Sequence, residues 1–155
     1  MRRASSVPTT SVALRPPDSN VGARARTYQL LIRVSAPSRV RVGRLGEFDF
    51  APGLYVYTGS AQRGLESRIG RHLSRAKRLR WHIDYLLAAP CVRVVNVRRF
   101  AEPECEVCHR TGGRILVAGF GASDCRAHCG SHLKYFGRTR RSQRATDAAR
   151  PESGR

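Results

Sequence analysis

The sequence predicts a small α+β domain in which one mixed or antiparallel sheet is flanked by helices. Apolar and polar residues alternate over residues 28–34 and again over residues 92–100, which is the period of a half-buried strand. Between these segments, residues 64–79 place apolar side chains at helical spacing. The order of strands, helix, strand and helix therefore favours a single sheet with helices packed against it.

The first strand is expected to end near Pro37, and its apolar positions alternate. These positions are Tyr28, Leu30, Ile32 and Val34. Residues 39–42 and 46–50 also alternate. The two short segments predict an extra strand pair, inserted between the first strand and the next long one.

The second long strand starts after the turn at Gly53 and presents two phenols, Tyr55 and Tyr57, on one face. Gly59 then turns the chain toward the helix. That helix is expected from about Gly64 to Leu79, with an apolar stripe beside a basic one. The apolar stripe comprises Leu65, Ile69, Leu73 and Ala76, and the basic stripe comprises Arg68, Arg71, Arg75 and Arg78.

The remainder of the domain is predicted to be short elements and loops. Residues 81–87 are apolar and compact. A short helix is expected from Glu104 to about His109, and residues 119–125 form a glycine-rich, loop-like finish. The folded part is therefore expected to end near Gly137.

Both ends of the chain have a different composition from the middle. Residues 1–26 are rich in Ser, Thr, Pro and Arg without an apolar period, and residues 138–155 contain six arginines. We expect a disordered basic arm at residues 1–26, a domain at residues 27–137, and a disordered basic tail at residues 138–155.

The formal net charge is +18 over 155 residues, and most of the excess falls inside the predicted domain. A preference for Arg over Lys explains the 27 arginines against two lysines, but not the excess of bases over acids. A polyanion is the expected partner, because cationic side chains at phosphates release condensed counterions.

The sequence contains no apolar run of 18 residues, and no apolar core follows the two arginines at positions 2 and 3. A membrane span and a secretory signal are therefore not expected. An odd number of cysteines, five, favours a reducing compartment without disulfides. We expect a cytoplasmic protein, with association with the nucleoid as a possibility.

Four of the cysteines have a spacing that is close to that of zinc ribbons. Cys105 and Cys108 are separated by two residues, and Cys125 and Cys129 by three, with His109, His128 and His132 nearby. Such spacing suggests a structural zinc site at the four cysteines. The alternative is that the first pair packs inside a helix, where small buried cysteines are common.

Several motifs resemble those of the GIY-YIG endonuclease superfamily. Tyr57-Thr58-Gly59 is similar to the second half of its signature, and Tyr28 takes the place of the tyrosine in the first half. Longer segments, including Trp-His-Ile-Asp-Tyr-Leu and Gly-Phe-Gly-Ala-Ser-Asp-Cys, resemble the Uri-type branch, which is sometimes fused to an endonuclease III-type repair enzyme. This sequence differs in the first half of the signature, which lacks its glycine, and in the 29 positions between the two tyrosines.

The resemblance implies a metal-dependent DNA endonuclease that acts in DNA repair or processing. It places Tyr28 and Tyr57 around the attacking water, with Tyr28 as the base, and Arg68 on the scissile phosphate. Glu104, or Glu106 as the alternative, would bind Mg²⁺ or Mn²⁺. A phenol of ordinary pKa is a poor base, so nearby positive charge would have to lower its pKa. His72 could hydrogen-bond a phosphate oxygen or a tyrosine.

Further residues are candidates by their place near these motifs. Those that could bind nucleic acid are Ser60, Arg63, Arg71, Arg75 and Arg78. Those that could face substrate are His82, Asp84, Asp124, Ser131 and His132.

Two other functions remain open at this point. One is a nucleic-acid-binding module without catalysis, and the other is a zinc-stabilised interaction module of a repair complex. DNA is the expected ligand, with RNA as an alternative, and a base-excision repair enzyme is a candidate partner.

Overall fold

The computed structural model describes residues 24–138 of the chain. This part contains six strands and three helices. The strands are β1 (Thr27–Val34), β2 (Ser38–Val42), β3 (Gly46–Phe50), β4 (Gly53–Ser60), β5 (Val92–Phe100) and β6 (Leu133–Tyr135). The helices are α1 (Leu65–Leu73), α2 (His82–Leu87) and α3 (Glu104–Arg110). The α+β prediction is confirmed.

The main sheet has four strands in the order β5-β1-β4-β6, and each neighbouring pair is antiparallel. The long central strands are β1 and β4, and Tyr28 of β1 lies directly opposite Gly59 of β4. Side chains of alternate residues on these strands fill the core, including Leu30, Ile32 and Tyr55, which are almost fully buried. The predicted tyrosine-bearing strands are thus neighbours at the centre of the sheet.

The extra strand pair is present between β1 and β4 as an antiparallel hairpin, β2 with β3, and it forms a sheet of its own. Its inward side chains, such as Val42 and Phe50, join the same core as the main sheet. Helix α2 packs on β2. The inserted residues therefore extend the core.

Helix α1 ends at Leu73, six residues earlier than the sequence suggested. The ammonium group of Lys77 donates to the backbone carbonyls of Arg71 and His72, so the chain after the helix folds back and caps its last turn. The predicted apolar stripe is therefore wrong after Ile69, because Leu73 is 52% exposed and the buried side chain in this turn is His72.

The predicted arm and tail lie almost entirely outside the described residues, which exclude residues 1–23 and 139–155. Within residues 24–138, no helix is long and apolar enough to cross a membrane.

Candidate functional site

The predicted site residues of β1 and α1 meet beneath the sheet. Tyr28 and His72 are 2% and 3% exposed, and the Tyr28 hydroxyl lies 2.7 Å from Nε2 of His72. The Tyr57 ring lies 6.4 Å from each of the other two rings, measured between centroids. Two phenols and one imidazole therefore form a buried aromatic cluster where β1, β4 and α1 converge.

Two glycines make room for the phenols. A Cβ atom at Gly59 would lie 2.5 Å from the Tyr28 hydroxyl oxygen, so the tyrosine ring can cover this strand only because the side chain is missing. A Cβ atom at Gly121 would lie 2.9 Å from the Tyr57 ring, and Gly121 also has a φ of +66°. The fold therefore favours glycine at this position of the Tyr-x-Gly motif, because a larger residue would collide with Tyr28.

Burial controls the protonation of this cluster. It raises the pKa of Tyr28 and of Tyr57 above the usual phenol value, and the positive charge of Arg68 offsets this only in part. Burial also lowers the pKa of His72 to about 4. At neutral pH all three side chains are uncharged. The expected lowering of the phenol pKa by neighbouring charge is therefore not seen in the protein alone.

The neutral state determines how His72 is hydrogen-bonded. The Asp84 carboxylate faces Nδ1 of His72 and favours the tautomer with the imidazole proton on that nitrogen, so that Nε2 accepts from the Tyr28 hydroxyl. Nδ1 has no hydrogen-bond partner and lies 3.7 Å from Oδ1 of Asp84. This distance is too long for a hydrogen bond, but the carboxylate charge still acts on the ring.

Arg68 is held above the aromatic cluster. Its Nη1 donates to the backbone carbonyl of Ser60 at 2.6 Å, and its guanidinium group lies 4.8 Å from the centre of the Trp81 ring. The stacked guanidinium keeps further N–H donors, because only one of its five is used in this contact. A phosphate could accept those donors.

Glu104 begins α3 and faces the end of β4. The hydroxyl of Ser60 donates to its Oε2 at 2.6 Å, and Nδ1 of His132 lies 3.0 Å from its Oε1. Burial raises the pKa of Glu104, but these two hydrogen bonds outweigh burial and hold it below its usual value. The carboxylate is therefore ionised and fixed by two neighbours.

A cleft of about 880 Å³ adjoins Ser60 and Glu104. Arg24, Arg26 and Glu102 also line it. The cleft is open to solvent and carries charged groups of both signs.

Next to Glu104 is a cluster of metal-ligating side chains. The Sγ atoms of Cys105, Cys125 and Cys129 and a ring nitrogen of His132 all lie within 4.8 Å of one another. A Cys3His cluster of this kind can hold a metal ion such as zinc. The sequence spacing predicted the four cysteines as the ligands. In the structure His132 belongs to the group instead of Cys108.

Cys108 is directed into the core instead. It is 1% exposed, and its Sγ donates to the backbone carbonyl of Ser131. Cys105 and Cys108 are three residues apart on α3. Cys108 lies next to Cys129, but only Cys105 is among the four donors that are mutually close. Cys105 thus fits the interpretation of the first pair as metal ligands, and Cys108 fits the interpretation as a buried helix cysteine.

The three thiols of the cluster differ in their pKa. A backbone N–H of Cys129 donates to Cys125, and this lowers the pKa of Cys125 to about 6. Burial raises the pKa of Cys105 and of Cys129 to about 12 in the protein without a metal. Cys125 is therefore the thiol that is most readily ionised.

Three candidate substrate-facing residues are engaged inside the protein. Asp84 is fully buried, with its oxygens 2.9–3.0 Å from Arg71 and 2.9 Å from the backbone N–H of Arg80 and Trp81. His82 accepts a hydrogen bond from the backbone of Gly121. Ser131 is also fully buried. These side chains hold α2 and the last loop in place. Asp124 is exposed.

The basic residues around α1 separate into two groups. Arg63, Arg75 and Arg78 are exposed and available to a ligand. Arg71 is paired with Asp84 and stacked 4.3 Å from the centre of the Trp81 ring. Glu106, the alternative metal ligand, is exposed on α3 and is not part of the Ser60 and His132 network.

Two residues were undervalued at the level of sequence. His132 was noted as a neighbour of the cysteines, although Cys129-x2-His132 has the spacing of a metal-binding knuckle. Trp81 organises the guanidinium groups of Arg68 and Arg71. Only the fold brings that ring to α1, so no sequence pattern indicated this contact.

A family model described as a domain of unknown function, DUF123, matches residues 27–154. The match includes every candidate site residue and extends past Gly137, where the sequence suggested the domain would end. No curated protein matches the chain, and no solved structure does.

Proposed function

The chain belongs to the DUF123 family, and we propose that it is a metal-dependent nuclease that hydrolyses phosphodiester bonds in DNA. The single observation that supports this most is the convergence of Tyr28, Tyr57, His72, Arg68 and Glu104, which come from four different elements. The motifs that bring them together are similar to those of GIY-YIG nucleases, in particular the Uri-type branch.

The aromatic cluster supplies a route for a proton. When water attacks phosphorus, the Tyr28 oxygen accepts a proton from the water while its own proton passes to Nε2 of His72. The charge that then develops on the imidazole is stabilised by Asp84, 3.7 Å from Nδ1. This order of hydroxyl, imidazole and buried carboxylate has the logic of a catalytic triad.

The phosphate needs positive charge and hydrogen-bond donors. Arg68 supplies a guanidinium group whose position is fixed by Ser60 and Trp81. Arg24 and Arg26 at the adjoining cleft would contact neighbouring phosphates of the strand, which position the substrate without reading its sequence.

Glu104 suits a hard divalent cation as one carboxylate ligand. Each of its oxygens accepts one hydrogen bond and retains a further lone pair. Mg²⁺ or Mn²⁺ bound there would offset the negative charge of the transition state, with water completing its coordination.

The decisive experiment compares wild-type protein with Arg68→Ala on labelled single-stranded, duplex and branched DNA, and on RNA, with Mg²⁺ or Mn²⁺. Arg44→Ala is the matched control, because it removes the same charge from an exposed position in the turn between β2 and β3. We expect cleavage that requires metal, falls at least about 100-fold in Arg68→Ala, and is retained in Arg44→Ala.

Binding without cleavage on all substrates would favour the second candidate function, a nucleic-acid module without catalysis. The raised pKa values of the buried phenols and the low pKa of His72 are the observations that favour it. At neutral pH the phenols do not readily lose a proton and His72 does not readily gain one, and a bound cation would assist only the phenols.

The third candidate is a zinc-stabilised interaction module in a repair complex, for instance with a base-excision repair enzyme. The Cys3His cluster is the observation behind it. A structural zinc is equally compatible with the nuclease, so metal content alone does not separate the two. Co-purification with a glycosylase, combined with no cleavage, would favour the interaction module.

A further inference from the structure

We propose that Cys105, Cys125, Cys129 and His132 form a tetrahedral zinc site, and that Glu104 orients the histidine ligand from outside the coordination sphere. This assigns Glu104 a role beyond that of the cation ligand in the proposed nuclease. It also replaces Cys108 by His132 in the ligand set suggested by cysteine spacing.

The separation of the thiols agrees with zinc coordination. The Sγ atoms of Cys105 and Cys125 are 3.7 Å apart. A tetrahedron with zinc–sulfur bonds of about 2.3 Å has sulfur–sulfur edges of about 3.8 Å. The distance is much too long for a disulfide, whose sulfurs are about 2.05 Å apart. This sulfur–sulfur distance therefore matches an edge of a zinc tetrahedron, and the other donors lie within 4.8 Å of both sulfurs.

The unpaired nitrogen of His132 is an independent observation. His132 is 3% exposed, and its Nδ1 is paired with Glu104. The other ring nitrogen, Nε2, is buried and has no hydrogen-bond partner among residues 24–138. A buried polar atom without a partner costs about 1–3 kcal/mol, and a metal ion bound there would remove this cost.

Glu104 completes the arrangement that metal-binding histidines usually show. Such histidines donate their second ring N–H to a carboxylate, which fixes the tautomer and raises the basicity of the ligand nitrogen. Here Nδ1–H of His132 would donate to Oε1 of Glu104 at 3.0 Å. Ser60 fixes the other carboxylate oxygen, so the acceptor cannot rotate away from the histidine.

The donor set selects the kind of metal. Three thiols and an imidazole are soft or borderline ligands, which favour zinc over Mg²⁺ or Ca²⁺. All four positions of a tetrahedron are occupied by protein side chains, as in structural rather than catalytic zinc sites. The ion would join α3 to the loop before β6, where the described chain has little regular structure.

The link to catalysis rests on the proposed function. If Glu104 also binds the nuclease cation, then loading of the zinc site determines how firmly that carboxylate is held. Zinc removal would then weaken cleavage through Glu104 without altering Tyr28, His72 or Arg68. Zinc affinity itself can be measured whether or not the protein cleaves DNA.

The test is the zinc content and affinity of the full chain, purified under reducing conditions, measured by elemental analysis and by competition with a chromogenic chelator. We expect one zinc per chain. Cys129→Ser should lose it, while Cys108→Ser should keep it. Glu104→Ala should bind zinc about 10–100-fold more weakly, and the matched control Glu106→Ala should bind like wild type.

A titration of the wild-type protein with Co²⁺ keeps the proposal testable if Cys129→Ser does not fold. A tetrahedral site with thiolate ligands gives intense visible bands together with thiolate-to-cobalt charge transfer. Absence of zinc and of this spectrum in the wild type would overturn the metal site. Loss of zinc in Cys108→Ser with full retention in Cys129→Ser would overturn the ligand set. Equal zinc affinities for Glu104→Ala and Glu106→Ala would overturn the role of Glu104.

Discussion

The hydroxyl of Tyr28 donates a hydrogen bond to Nε2 of His72, 2.7 Å away, and neither side chain is more than 3% exposed. This contact joins β1 to α1 and turns Nδ1 of the imidazole toward Asp84. It therefore ties together fold stability and the proton route of the proposed reaction. The experiments below separate these two contributions.

Tyr28→Phe should remove cleavage and also destabilise the protein. The change leaves Nε2 of His72 buried without a donor, which should lower the free energy of unfolding by about 1–3 kcal/mol. Urea denaturation measures the stability, and a nuclease assay well below the midpoint measures the activity. Tyr55→Phe is the matched control, because its hydroxyl donates to the carbonyl of Ala51 in the core, away from the cluster. We expect it to lose stability but to keep cleavage, and cleavage by Tyr28→Phe would argue against the proposed base.

Gly59→Ala should displace Tyr28. The added Cβ would lie 2.5 Å from the Tyr28 hydroxyl oxygen and 2.6 Å from Cζ of the ring, which is closer than such atoms can approach. We expect a loss of about 1–3 kcal/mol in stability, as for other overpacked core positions. Gly70→Ala in α1 meets nothing within 4 Å and should stabilise by about 0.4–1 kcal/mol. Equal melting temperatures for the two variants would contradict the close approach of Tyr28 to β4.

The strands were predictable because their signal is local. Tyr28, Leu30 and Ile32 share one face of β1 and alternate with Gln29, Leu31 and Arg33, which gives the period of a strand. The burial of Gln29 and Leu31 on the other face was not predicted by that period, because it depends on the packing of α3 against β1. The end of α1 was not predictable in the same way. Helical spacing continues to Ala76, but Lys77 caps the carbonyls after Leu73 through a contact that depends on the chain folding back.

In the candidate site, too, some residues could be identified from the sequence, whereas others depend on contacts that only the fold creates. Motif residues such as Arg68 and Glu104 were identified because their type and spacing resemble a known family. The ligand set of the cysteine cluster was not, because the sequence offers four cysteines and three histidines at similar spacing, and only the packing of α3 against the last loop decides which of them meet. The sequence pointed to Asp84 as a candidate that faces substrate, whereas its role as a buried anchor appears only once α2 is placed against α1.

Asp84→Asn should lower stability and also cleavage, because the carboxylate is a structural anchor and faces Nδ1 of His72 in the proposed proton route. The carboxylate pairs with both terminal nitrogens of Arg71 and accepts two backbone N–H groups at the start of α2. Loss of its charge should cost about 3 kcal/mol, since Arg71 remains partly exposed and can be rehydrated. Chemical denaturation tests this, with the exposed Asp124→Asn as the control, expected within about 0.5 kcal/mol of wild type. A wild-type unfolding midpoint for Asp84→Asn would show that the ion pair contributes little.

Acidification should destabilise the protein through His72. Burial lowers the pKa of His72 in the folded protein to about 4, whereas in the unfolded chain it is near 6.5. Between these values the unfolded state binds the extra proton, so the free energy of unfolding falls as the pH is lowered, by about 1.4 kcal/mol per pH unit and about 3 kcal/mol in total. Above about pH 6.5 both states are neutral at this position and the effect disappears.

His72→Gln should remove this component of the pH dependence, and the exposed His109→Gln should keep it. Urea unfolding of the three proteins at intervals from about pH 8 to about pH 4.5 measures the slopes. If wild type and His72→Gln give parallel curves, the pKa of His72 is not depressed, and the burial of its ring between Tyr28 and Asp84 would be contradicted.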